Sequence, residues 1–205
     1  MTVNKNYIHS FCTIQKNTVF LNGEVVFTTE ENSFADFSKK VYKHFEINYP
    51  KFFKMDNLSK LAFLGAELLL TAADENSAEN NTALVFANKS SSLDTDVKYQ
   101  SSISDSEDYY PSPAVFVYTL PNICLGEISI KHQLKSENSF FIFADYEPEF
   151  MENYCNILLE NQKADRVLCG WVEYYNEEYK AFLCLVDKKG ETEHNHEQLK
   201  KLYNK

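Results

Sequence analysis

The chain has 205 residues, 44% hydrophobic and 15% aromatic, enough for one domain with a sizeable core. Thirty acidic residues against twenty basic ones leave a net charge of −10, which excludes a basic surface able to replace phosphate counterions and so argues against a nucleic-acid partner. No apolar run is long enough to cross a bilayer, and the opening MTVNKNYIHS lacks the apolar core of a secretory signal, so a cytoplasmic protein without membrane contact is expected.

Residues 7–15 (YIHSFCTIQ) alternate large apolar with smaller groups and predict a first strand. TVFLNGEVVF, residues 18–27, turns at Asn22-Gly23, the strongest short hairpin signal. Ser33 with Asp36 has capping-box-like spacing and opens a helix that carries Phe34, Phe37, Val41 and Phe45 on one face. Beyond Pro50, Asp56 can cap a helix with Leu58, Leu61, Ala62, Gly65, Leu68 and Leu69, whose small residues imply a close packing partner. The stretch 71–81 is polar; residues 82–87 (TALVFA) predict a strand, KSSSLDTD a loop, and 99–113 a longer acidic loop. Pro121 opens a helix with Ile123, Gly126, Ile130 and Leu134 on one side. SFFIFA (139–144) predicts a strand buried on both faces, and Pro148 a helix through Met151, Tyr154, Leu158 and Gln162. RVLCGWVEY and KAFLCLVD close the domain, 1–190, as an antiparallel pair, leaving 191–205 as a charged tail, frayed or helical on the surface. Strands alternating with helices demand crossovers: an α/β fold with a mostly parallel sheet, a terminal antiparallel strand and helices on its faces.

Several strings in this order resemble β-ketoacyl-acyl-carrier-protein synthases. YIHSFCTIQ looks like their opening strand, and MDNLSKLAFLGAELLL like their Met-Asp helix. TLPNICLGEISIKHQLKSENS matches at Asn122, Gly126, Ile130 and Ser139, with Glu137-Asn138 where the family has Gly-Pro. ADRVLCGWVE resembles the Ala-Asp-x-x-x-x-Gly-Gly run through Asp165 and Gly170, with Trp171 in place of the second glycine. The resemblance covers residues 7–187 and implies the N-terminal half of a thiolase-like fold, a single βαβαβαββ unit with a five-stranded sheet. The sequence looks especially like the short ketosynthase-like proteins of aryl-polyene and flexirubin pigment pathways.

The resemblance also implies a nucleophilic cysteine where the third strand meets a helix, at a position that Tyr146 occupies here between Asp145 and Glu147, with Glu149 close by. The catalytic histidines belong to the half that is not matched. A catalytically inactive partner subunit of fatty acid or polyketide synthesis is therefore expected, pairing with itself or with a full-length ketosynthase. The run Phe140, Phe141, Ile142, Phe143 is its candidate interface, since the family pairs this strand across its dimer. The alternative is an acyltransferase with residual condensing activity at a non-standard site. An acyl-carrier protein is a possible partner through Lys51, Lys54 and Lys60, although the net acidity opposes it.

Elsewhere the chemistry-bearing residues read as structural. Cys12, Cys124, Cys155, Cys169 and Cys184 form no CxxC pair and sit in apolar patterns, as buried free thiols do. His9, His44 and His132 are isolated, His194 and His196 are two apart and off one helical face, and Asp94 with Asp96 lacks further spaced oxygen ligands. No metal site follows. With five glycines in the chain and no glycine-rich phosphate loop, no cofactor is expected either.

Overall fold

The computed structural model describes residues 5–73, 81–107 and 109–205. Most of the stretch 71–81 read as polar lies outside these, as does residue 108 of the acidic loop. Strand β1 (Tyr7–Gln15) is followed by a hairpin, β2 (Thr18–Leu21) and β3 (Glu24–Thr28), whose Asn22 and Gly23 both have positive φ as the Asn-Gly turn requires. Helix α1 (Phe34–His44) starts where predicted: the Ser33 side chain accepts from the Asp36 amide, and Phe34, Phe37 and Val41 are buried. A 3-10 turn at Pro50–Lys54 leads into α2 (Asn57–Ala73), whose first turn is capped by Asp56 accepting from the Ser59 amide at 3.0 Å.

Then come β4 (Thr82–Asn88), α3 (Leu93–Ser101), the single turn α4 (Pro113–Phe116), α5 (Ile123–His132) and β5 (Asn138–Ile142). The chain ends with α6 (Pro148–Glu160), β6 (Arg166–Tyr175), β7 (Glu178–Asp187), β8 (Thr192–Glu193) and α7 (His196–Tyr203). None of the described helices is long and apolar enough to cross a membrane.

One sheet runs in the order β3-β2-β1-β7-β6-β4-β5, with β8 on β1. β4 is parallel to both β5 and β6, while β7 is antiparallel to β6 and β1. The five strands expected from the sequence, β1, β4, β5, β6 and β7, thus form a continuous block in which β7 alone runs backwards. The β2–β3 hairpin widens that block beyond β1.

Both faces are covered. On one, α1, α2 and α5 pack over Ile14, Leu84, Phe86, Leu168 and Leu183; on the other, α6 and α7 pack over Val85, Val167, Cys169, Phe182 and Cys184. β4 has all seven residues buried, as its apolar run implies for a parallel strand with helices on both sides. Gly65 and Gly170 allow close approach in the core. A Cβ at Gly65 would lie 2.9 Å from Leu183 Cδ1, so α2 sits tightly on β7, which accounts for the small residues read on that helix. Gly170 has φ +150° and a Cβ there would lie 2.0 Å from the Phe182 carbonyl oxygen.

Four expectations need correcting. KSSSLDTD is not all loop: from Leu93 it becomes α3, with Asp94 paired to Lys98 and Asp96 accepting from Ser92 Oγ. The buried side of α5 is Cys124, Leu125, Glu127 and Ile128, whereas Ile130 is 63% exposed and a Cβ on Gly126 would meet nothing. The stripe at 123, 126, 130 and 134 satisfied the helical spacing, but the helix is rotated to bring Glu127 inside, to the Tyr118 hydroxyl (3.1 Å), the Tyr49 hydroxyl (3.2 Å) and Lys51 Nζ (2.8 Å). β5 is not buried on both faces: it is the sheet edge, pairs with β4 alone, and leaves Ile142 48% exposed. The segment read as a charged tail is helical and docked, with Leu199 and Leu202 buried on the α6 side.

Candidate functional site

The link from β5 to α6 holds the position that the ketosynthase resemblance gives to the nucleophile. The Phe143 amide donates to the Asn88 carbonyl at 3.0 Å, continuing the β4–β5 ladder by one bond. Pro148 then opens α6 at a first helical position, where a missing N–H costs nothing. Between these fixed points Tyr146 turns inward. Its ring centroid lies 4.5 Å from Tyr203, 5.7 Å from Phe182 and 6.2 Å from Trp171. The hydroxyl is buried without a hydrogen-bond partner among the described residues, and burial pushes its pKa well above the ordinary phenol value. Burial among these rings favours the neutral phenol over the phenolate. Asp145, Glu147 and Glu149 point outward at the helix start, where the dipole favours them.

Two of the rings around Tyr146, Trp171 and Tyr203, also line an open cleft of ≈ 480 Å³, together with Asp145, Glu173 and Lys180 among others. At its floor the Glu173 carboxylate accepts from the Lys89 amide (2.7 Å) and the Ser90 amide (3.1 Å). This pair of backbone donors at the end of β4, the kind of group that stabilises an oxyanion, is already matched to an anion of the protein. Lys180 Nζ donates to the Tyr203 carbonyl at 2.6 Å and sits 3.8 Å from that ring's centroid. The C-terminal helix is thereby pinned across the cleft, with Tyr203 stacked on Tyr146.

All five cysteines are free and buried, as expected. Burial raises the Cys12 thiol to about 12 and holds Cys124, Cys155 and Cys184 well above the usual range. Cys169 is the exception: hydrogen bonding with Cys155, and then with His194, lowers it to about 6. It is nevertheless fully buried. The Sγ atoms of Cys155 and Cys169 and a ring nitrogen of His194 all lie within 4.8 Å of one another. Sequence reasoning treated these three residues separately, because thirty-nine positions divide Cys155 from His194 and the charged string EHNHEQ disguises a buried histidine.

The remaining motif residues do not converge on Tyr146. Asn122 stands at the start of α5 without capping it, and with Gly126 it belongs to the helix layer on the opposite face of the sheet. Ser139 Oγ lies 3.2 Å from the Tyr154 hydroxyl, and the Asp165 amide donates to Asn81. Phe140 joins the α2–α5 core, while Phe141 and Phe143 pack with Phe150 on the α6 side. Of the three candidate docking lysines, Lys54 is exposed, Lys51 pairs with buried Glu127, and Lys60 is partly buried, which lowers its pKa. His132 is not isolated but ion-paired to Glu67 at 2.8 Å, and His9 faces Asp187 at 3.4 Å.

No family model matches the chain, and no curated protein matches it in sequence. Solved structures do. The ishigamide ketosynthase/chain length factor superposes with a TM-score of 0.67 at 16% identity over 92% of this chain. The fold is ketosynthase-like and therefore thiolase-like. The complex of the ketosynthase ApeO with its chain length factor ApeC from Xenorhabdus doucetiae gives 0.61 at 11% identity, covering 98% of this chain and 90% of that one. A β-ketoacyl synthase from Burkholderia phymatum gives 0.60 at 11% identity over 91% of this chain. The chain spans 64% of the length of the ishigamide protein and 60% of the Burkholderia synthase.

Proposed function

We propose that this chain is a non-catalytic, ketosynthase-like partner subunit of acyl-carrier-dependent chain building, corresponding to the N-terminal half of the fold. The observation that carries the reading is the enclosure of Tyr146: at the expected nucleophile position stands a buried phenol beneath Tyr203, and every thiol is buried. The aryl-polyene type is the narrower assignment, supported by the 90% coverage of the chain matched in the ApeO–ApeC complex.

The surface for assembly is the free edge of β5. The Glu137 carbonyl and the Phe143 amide bond to β4, so by the two-residue period the amides of Phe140 and Ile142 face outward. An uncovered apolar edge strand is a template for a second strand, from another copy or from a ketosynthase. Light scattering after size exclusion, on the chain alone and mixed with a ketosynthase, tests this. Dimer or complex in the native chain, and loss of it in Ile142→Pro with unchanged circular dichroism, supports the reading. A native monomer in both samples contradicts it.

A further inference from the structure

We propose that Cys155, Cys169 and His194 form a buried structural site for a divalent, sulfur-preferring cation of the zinc type, filled as the chain folds. The three donors come from α6, β6 and the link between β8 and α7, and their ligand atoms already lie within 4.8 Å of one another. Zinc–sulfur bonds of about 2.3 Å and zinc–nitrogen bonds of about 2.0 Å set tetrahedral ligand separations at roughly 3.5–3.8 Å. Closing on a metal therefore needs a shift of about 1 Å at most.

A second observation points independently to a ligand. His194 is 3% exposed, and among the described residues its buried ring nitrogens make no hydrogen bond of ordinary geometry beyond the electrostatic contact with the Cys169 thiol. A buried imidazole with only a thiol to satisfy it is costly, and coordination by one nitrogen removes that cost. The ring is inside because its backbone is held there. The His194 amide donates to the Asn6 carbonyl at 2.8 Å, Asn195 caps α7 through the Gln198 amide, and the His196 amide bonds to Glu152 on α6.

Charge and softness select the cation. Two thiolates and a neutral imidazole around a divalent ion make a neutral centre, the arrangement least penalised in an apolar interior. Calcium and magnesium take oxygen donors, and the group contains none. Cys184, opposite Cys169 in the β6–β7 register and equally buried, is the next donor on that face. A Cys155–Cys169 disulfide would use the sulfurs but leave His194 unsatisfied. Because all three residues are buried, loading belongs to folding.

The test is metal content of the full chain, unfolded with a chelator and refolded under reductant with Zn(II) or with Co(II), then desalted. The site predicts close to one zinc per chain and thiolate-to-cobalt charge-transfer absorption. Cys169→Ser and His194→Ala should lower retained zinc at least tenfold, while Cys12→Ala, a buried cysteine on the other face, retains it. Zinc-free native protein, cobalt spectra without thiolate bands, equal zinc in all variants, or a metal-free Cys155–Cys169 disulfide by mass spectrometry overturns the proposal. The native cobalt spectrum decides even if a variant fails to fold.

Discussion

Tyr146→Phe removes one oxygen from the centre of the candidate site and leaves every ring contact in place. If the tyrosine serves as packing, the hydroxyl is a liability, because it is buried with no partner. Leaving such a group unpaired costs about 1–3 kcal/mol, so the phenylalanine variant should be more stable by roughly that amount. For a chain of this size each kcal/mol moves the melting temperature by roughly 2–4 °C. The rings of Tyr203, Phe182 and Trp171 have the same surface to pack on in the variant. The converse change, Tyr146→Cys, places a thiol where the ketosynthase resemblance implies one but deletes the ring, and should cost about 3–5 kcal/mol, the range for emptying an aromatic site. Urea denaturation followed by circular dichroism reads both, with an unchanged slope showing that the same surface unfolds. Destabilisation of Tyr146→Phe by more than about 1 kcal/mol would refute the reasoning, since the hydroxyl would then have a partner and the position a polar role.

Gly170→Ala should destabilise by more than about 3 kcal/mol or prevent folding, because its Cβ collides with the β7 backbone at 2.0 Å and not with a movable side chain; a melting scan checks this. Gly65→Ala meets only the end of Leu183 and should cost about 1–3 kcal/mol by the same measurement. His196 has its pKa raised by its hydrogen bond to Glu152, so the stabilisation it gives is complete below the unfolded-state pKa and is lost as pH rises through the higher folded one. NMR titration should show a midpoint above the ordinary histidine value that falls in Glu152→Gln.

Much of the fold was legible because local chemistry and tertiary need agree there. Ser33, Asn22-Gly23 and Pro148 each satisfy a backbone requirement at their own position, so their elements appear where the sequence put them. The β5 run misled because an apolar strand reads alike whether helices cover it or a partner strand is still to be added. The α5 stripe misled because buried Glu127 draws its counter-charges from Lys51, seventy-six positions away. At the candidate site, the sequence yielded the absence of cysteine at position 146. It could not yield the Tyr203 lid, which depends on docking of a helix whose composition is that of a surface tail. The Cys155–Cys169–His194 group was hidden for the same reason.

Intact-mass spectrometry after incubation with acyl-loaded carrier protein or acyl-CoA tests the central claim most directly. A chain with the Tyr146 hydroxyl and all five thiols buried should emerge with its mass unchanged. An acyl adduct on any cysteine, or on Tyr146, would show that the site is open and reactive and would contradict the account.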